Sequence, residues 1–278
     1  MKRETTTKTD KVTFESFGDF VSFAETRTLP VGGVTHSRDN TSSGTWDLNA
    51  NFDATVQLAK FGWPDGANRV KALAGKLTTN LSHLIEMPVI SYDVMGENFD
   101  AGVFCEGKPE CFFDIHSQIE EFTGTGKIVR LVFNSTASCG ISAQVMAAKG
   151  AMICALIQCL EIAGIRVEVI LTFATRGQKT YGVEVPIKDA DQNLDLDRLV
   201  FSLAHPACFR RLGFSVLESS ETFAKDCGGS YGCPTSVDTP CDIKVPESSW
   251  SDSQWLSEDT AIAWITGELK KQGVHLEG

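Results

Sequence analysis

Along the chain the hydrophobic positions switch between two periods, and the clearest switch lies between Lys127 and Phe173. Ile128, Val129, Leu131, Val132 and Phe133 form a short apolar run rich in β-formers, which suits a strand covered on both faces. It stops at Asn134-Ser135-Thr136-Ala137-Ser138-Cys139-Gly140, small residues that favour a turn and a helix start. Val145, Met146, Met152, Ile153, Leu156, Ile157 and Leu160 then recur at helical spacing and make one broad apolar face. Gly164 stands where a left-handed C-terminal cap belongs, and Ile165 to Phe173 is a second apolar run. Strand, helix and strand in this order predict a βαβ unit in an at least partly parallel sheet.

The flanking pattern extends this unit. Residues 1–11, MKRETTTKTDK, are polar without apolar periodicity and are expected to be a disordered tail. Phe14, Phe17, Phe20 and Val21 have helical spacing; such an aromatic row packs into a core or stacks on bases. Leu29 to Thr45 reads as a loop. Asn51 can cap a helix closed by Gly62-Trp63-Pro64-Asp65-Gly66, and Val70, Leu73, Leu77, Leu81 and Leu84 predict another from Asp65 to about Glu86. Val89–Val94 and Cys111–Ile115 are expected strands of a hairpin-like edge, with a further β-like piece over Gly96–Gly107. Beyond the central unit, Tyr181–Ile187 predicts a strand and Leu194–Leu203 a helix. Pro206 marks a new helix start, Cys241–Val245 a short strand, and Ser257 or Asp259 the cap of a closing helix that ends at Gly273.

The expected fold is α/β: a three-layer sandwich with a mostly parallel central sheet, preceded by N-terminal helices. The divisions are a tail over 1–11, a helical region over 12–86 and an α/β domain over 87–278.

Composition narrows the chemistry. The chain has 278 residues, 42% hydrophobic and 22% charged, with a net charge of −11, which counts against broad nucleic-acid binding. No window approaches eighteen uninterrupted apolar residues and no apolar signal core follows Lys2 and Arg3, so a cytoplasmic protein without membrane contact is expected. The nine cysteines form no C-x-x-C pair and read as free thiols. A G-x-S-x-G elbow, a Walker loop and H-E-x-x-H are all missing from the sequence, and Gly124-Thr125-Gly126-Lys127 precedes a strand instead of linking strand to helix. A Cys-His or carboxylate enzyme therefore lacks a specific motif.

In an open α/β sheet, ligands bind outside the carboxyl ends of the strands, which makes the Asn134–Ser138 turn the first candidate site. Asn134-x-Thr136-x-Ser138 after an apolar strand resembles the Asp-x-Ser-x-Ser opening of the von Willebrand factor A-like fold, which is Rossmann-like in architecture. That resemblance implies a divalent cation, such as a weakly bound Mg²⁺, held by Asn134, Thr136 and Ser138. Asparagine in place of aspartate supplies a neutral oxygen and weakens the attraction for a hard cation. Read without the resemblance, the same residues are a helix cap and polar turn with no ion. Thr175 and Arg176 form a second polar turn at a neighbouring strand end. Arg210 and Arg211 could contact phosphate, or pair with an acidic neighbour.

Phe61-Gly62-Trp63-Pro64-Asp65-Gly66, Cys105-Glu106-Gly107-Lys108-Pro109-Glu110-Cys111 and His205-Pro206-Ala207 with Arg210-Arg211-Leu212-Gly213-Phe214 resemble a family found in many bacteriophage genomes. This resemblance implies a viral or mobile-element origin and brings no activity with it. The expectation is a non-enzymatic adaptor that holds a protein partner of phage or host machinery. A single-stranded-DNA-binding accessory of phage transcription or replication is the alternative.

Overall fold

The computed structural model describes residues 1–27, 36–39, 41–68, 70–72, 89–96, 98–116, 127–162, 164–227, 230–249, 252, 255 and 257–272. Its centre is the expected βαβ unit: β6 (Ile128–Asn134), helix α5 (Ala143–Ile162) and β7 (Arg166–Arg176), with β6 and β7 parallel from Ile128↔Arg166 to Asn134↔Thr172. Gly164 turns between helix and strand at φ +78°, a conformation that costs glycine little.

The sheet around this unit is mixed. Its strand order is β1-β2-β8-β7-β6-β10, with β9 pairing the far end of β7. Here β1 is Lys2–Thr5, β2 Thr9–Thr13, β8 Thr180–Lys188, β9 Cys233–Pro234 and β10 Ile243–Val245. β10 runs parallel to β6, whereas β8 folds back antiparallel on β7 and pairs parallel with β2. The expected tail at 1–11 is thus corrected: residues 2–13 are an antiparallel ribbon at the sheet edge, and β2 buries Asp10 and Val12.

Side-chain alternation shows where the core lies. Val129, Leu131 and Phe133 of β6, Val167, Val169, Leu171 and Phe173 of β7, and Tyr181, Val183 and Val185 of β8 share one face by register, and all are buried. Every helix seen to touch the sheet touches that face. Phe20 of α1 (Phe17–Thr26) lies 5.6 Å from Phe173, and Phe209 stacks on Phe173 from the other side at 5.5 Å. Lys149 of α5 lies over the Phe133 ring, and Phe223 meets Tyr181 edge-on. Among the described residues the architecture has two layers, in place of the expected three.

The opposite face is crossed by an extended strap over residues 233–242. Thr235 N donates to the Ala174 carbonyl (3.1 Å), Thr239 Oγ1 to Glu184 Oε2 (2.7 Å), and Val237 lies so close to Gly182 that a Cβ there would meet it at 2.4 Å. The same face carries the ion pairs Arg130–Glu168 and Lys11–Glu184, the second beside Thr239 of the strap, and Ile128 is exposed.

Within the helix layer, α1 is capped by Ser16, and α2 (Phe52–Phe61) by Asn51 as expected, ending at Gly62 with φ +88°. Helix α3 follows over 64–68 and 70–72; the expected continuation to Glu86 lies outside the described residues. α5 crosses α6 (Leu196–Ala204) at very close range, because a Cβ on Gly150 would stand 2.2 Å from the Leu203 carbonyl oxygen. α5 has the length and apolarity of a membrane span, but 72% of that window is buried inside the protein, so packing accounts for its composition. The chain then forms a π-helical turn at Cys208–Gly213 and two short helices, α7 (Phe214–Glu218) and α8 (Phe223–Asp226). The last helix, α9 (Glu258–Lys271), starts at Ser257 in a reciprocal capping box with Thr260. Phe14, Phe20, Val56 and Val70 belong to the same core as the βαβ unit, so the N-terminal helices are part of one helix layer.

A second, three-stranded sheet has the order β3-β5-β4: β3 (Val89–Asp93) and β4 (Asn98–Phe99) flank β5 (Phe112–His116), both antiparallel to it. The expected hairpin-like pairing is present, though in its own sheet. The β-like piece over 96–107 holds strand β4 and then helix α4 (Ala101–Cys105), whose cap Asp100 accepts from the Gly102 and Val103 amides.

Candidate functional site

At the carboxyl end of β6 the three resemblance residues have different fates. Asn134 is buried on the strap side of the sheet; its Nδ2 donates to the Thr235 carbonyl (2.8 Å), and its Oδ1 accepts from Thr136 N (3.0 Å). Thr136, also buried, accepts at Oγ1 from Ala174 N (2.8 Å). Ser138 is half-buried, beyond Ala137, which bridges to Ser248. Two of the three side-chain oxygens are therefore engaged by backbone N–H groups: that of Asn134 within its own turn, and that of Thr136 by β7. Hard cations such as Mg²⁺ favour carboxylate oxygens, and none of the three residues supplies one. Among the described residues no group of three or more His, Cys, Asp or Glu converges either. The trio does not fit the cation, and its chemistry is that of a polar turn.

One hydroxyl in this turn stands apart. Ser135 Oγ is buried and makes no hydrogen bond. On the helix side of the same strand end lies Lys149, whose charge enters an otherwise apolar stretch of α5. Its Nζ donates to the Pro246 carbonyl and to Ser248 Oγ (3.2 Å) and sits 5.4 Å from the Phe133 ring centroid. Burial pulls its pKa down to about 8, against the opposing pull of Asp252 and Glu247. The lysine thereby ties the segment after β10 to α5. A lone charge within VMAAKGAMICALI was the signal that could have found it.

Thr175 and Arg176 do lie near the Asn134 turn, as two parallel neighbouring strands require. Thr175 is buried and donates to the Tyr231 and Cys233 carbonyls, so it anchors β9; Arg176 is exposed.

Arg210 and Arg211 lie in the π-helical turn and are both buried. Arg210 donates to the Trp46 and Ile141 carbonyls, each at 2.6 Å, and burial lowers its pKa to about 10. Arg211 reaches the carbonyls of Ser37, Asp39 and Thr41 and forms a fork on Asp47. Together they fasten the loop before α2 onto the core. A phosphate would have to displace these partners, which corrects their expected binding role. His205 precedes the turn; desolvation pulls its pKa down to about 4, and its Nδ1 accepts from Ala207 N (3.2 Å).

The surface that stands out is on the small sheet. Val94, Met95, Phe99 and Phe104 are 52, 79, 51 and 59% exposed. The rings of Phe99 and Phe104 lie 5.5 Å apart, and Phe99 lies 5.3 Å from Phe112. By register, Asp93 and Phe99 flank Phe112 on one face, and Asp114 follows on the same face two residues along. The turn from β3 to β4 passes over them, since a Cβ on Gly96 would meet Asp114 Oδ1 at 2.9 Å and Phe112 Cβ at 3.2 Å. Sequence order conceals this surface, because its aromatics scatter between short elements and join only through strand pairing.

A family described as a domain of unknown function (DUF7192) matches residues 2–275. No curated protein and no solved structure matches the chain.

Proposed function

We propose, from the premise that the chain belongs to the DUF7192 family, that it is a non-enzymatic binding adaptor and that its contact surface is the face of the small sheet around Phe99, Phe104 and Met95. The observation that carries this reading is the clustered exposure of large apolar side chains there: Phe99 and Phe104 touch, whereas Phe61, the other exposed aromatic among the described residues, stands apart at the end of α2. Soluble proteins leave such patches outside chiefly where something docks. The strand-end residues support it from the other side: Asn134, Thr136, Thr175, Arg210 and Arg211 spend their polar groups on internal partners. A bacteriophage origin, as the strings around Trp63 and His205 imply, would place the partner in phage or host machinery.

The test is affinity capture from source-cell lysate with the wild-type chain and with a Phe99→Ser/Phe104→Ser variant, each checked for native circular dichroism. A specific protein retained by the wild type and lost by the variant is expected. Equal retention by both would remove the surface from consideration.

A further inference from the structure

Resting on that adaptor reading, we infer that the small sheet receives a cationic peptide segment with an apolar anchor, and not a second copy of this chain. Residues 89–116 hold six acidic residues against the single lysine Lys108, inside a chain already at −11. Two such faces brought together would set like charges against each other, whereas a basic segment would relieve that repulsion. Lys108 lies 2.7 Å from Glu106 and offsets that one charge, which leaves the stretch with five negative charges in excess.

The arrangement of the face gives the segment both of its features. Phe99, Phe104 and Phe112 form one aromatic surface for an apolar anchor, and Met95 above it is a flexible side chain that adapts to different shapes. Asp93 is exposed and pairs across the strands with Phe112 on this face, where a lysine or arginine beside the anchor would meet a carboxylate and an aromatic ring together.

The test uses the full chain and three fluorescein-labelled 15-residue peptides followed by anisotropy: one of Leu, Phe, Arg and Lys, one with Glu at every basic position, and one with Ser there. The basic peptide is expected to bind at least tenfold more tightly than the Ser peptide, with affinity that falls as salt rises. Asp93→Asn should reduce the salt dependence, and Phe99→Ser/Phe104→Ser should weaken binding at least tenfold. Equal binding of the basic and Ser peptides would overturn the inference. So would sedimentation showing a dimer that Phe99→Ser/Phe104→Ser dissolves, since the occupant would then be a second copy. If the basic peptide fails to bind while lysate capture still depends on Phe99 and Phe104, the cationic chemistry is wrong and the adaptor reading stands. If capture is also insensitive to those residues, both fall.

Discussion

Arg211 and Asp47 form a fully buried ion pair in which Nη2 (2.7 Å) and Nε (3.2 Å) of one guanidinium converge on the same carboxylate oxygen, Oδ2. Asp47 holds its own loop as well, accepting from the Ser43 and Asn49 amides. Removal of the arginine strands a buried carboxylate. Arg211→Ala should therefore cost about 3–5 kcal/mol, read as a lower urea midpoint. Removing both partners as Arg211→Met/Asp47→Leu should restore part of that loss, because no uncompensated charge remains.

Gly150 and Gly267 make a paired prediction about glycine in helices. A methyl on Gly150 would collide with backbone of α6, so Gly150→Ala must push two helices apart and should lower stability by about 1–3 kcal/mol or more. Gly267 in α9 has open space, and Gly267→Ala should raise stability by about 0.5–1 kcal/mol. Melting temperatures measured in one buffer should move in opposite directions.

His205 should make the protein acid-sensitive. Its folded pKa of about 4 lies below the ordinary 6.5, so the unfolded chain takes up the proton first as pH falls. Stability from this group is fully present above about 6.5 and is lost between there and about 4, by about 2–3 kcal/mol. His205→Asn keeps an acceptor for the Ala207 amide without a titrating ring. Urea unfolding at pH 7 and pH 4.5 should show a smaller difference for the variant than for the wild type.

Thiol accessibility should sort the nine cysteines by burial. Cys105, Cys139 and Cys233 are exposed, whereas Cys154, Cys159 and Cys208 are buried, and desolvation raises the pKa of all three. Titration with a chromogenic disulfide should consume about three thiols quickly in the native state and all nine in denaturant, since reactivity follows exposed thiolate.

The βαβ unit was legible because its signal is local: Ile128–Phe133 carries the strand run, and Val145–Leu160 the helical face. The same run misled about layers. Val132, Ile170, Thr172 and Ala174 face away from the helices yet are buried, on the face that the strap over 233–242 crosses. An apolar residue under a strap and one under a helix look alike in a sequence. Residues 1–11 read as a tail because the edge ribbon offers little more than Asp10 and Val12 to the core. Its strand character comes from the pairing of β1 with β2 and of β2 with β8. Arg210 and Arg211 were visible as candidates, but the carbonyls that bind them, Ile141 apart, belong to a loop about 170 positions earlier. The aromatic surface of the small sheet was hidden for the same reason: only pairing brings Phe99 beside Phe112.

The pairing of β2 with β8 sets a schedule for synthesis. Thr9↔Thr180 and Thr13↔Glu184 join positions 171 apart, so the first strands made must wait for the stretch that ends at Lys188 before they can dock. At roughly 5–20 residues per second that wait is on the order of ten to thirty seconds. During it, Val12 and Phe14 leave the ribosome with no sheet to join, and a chaperone that binds short apolar segments near the N-terminus would have its opportunity there.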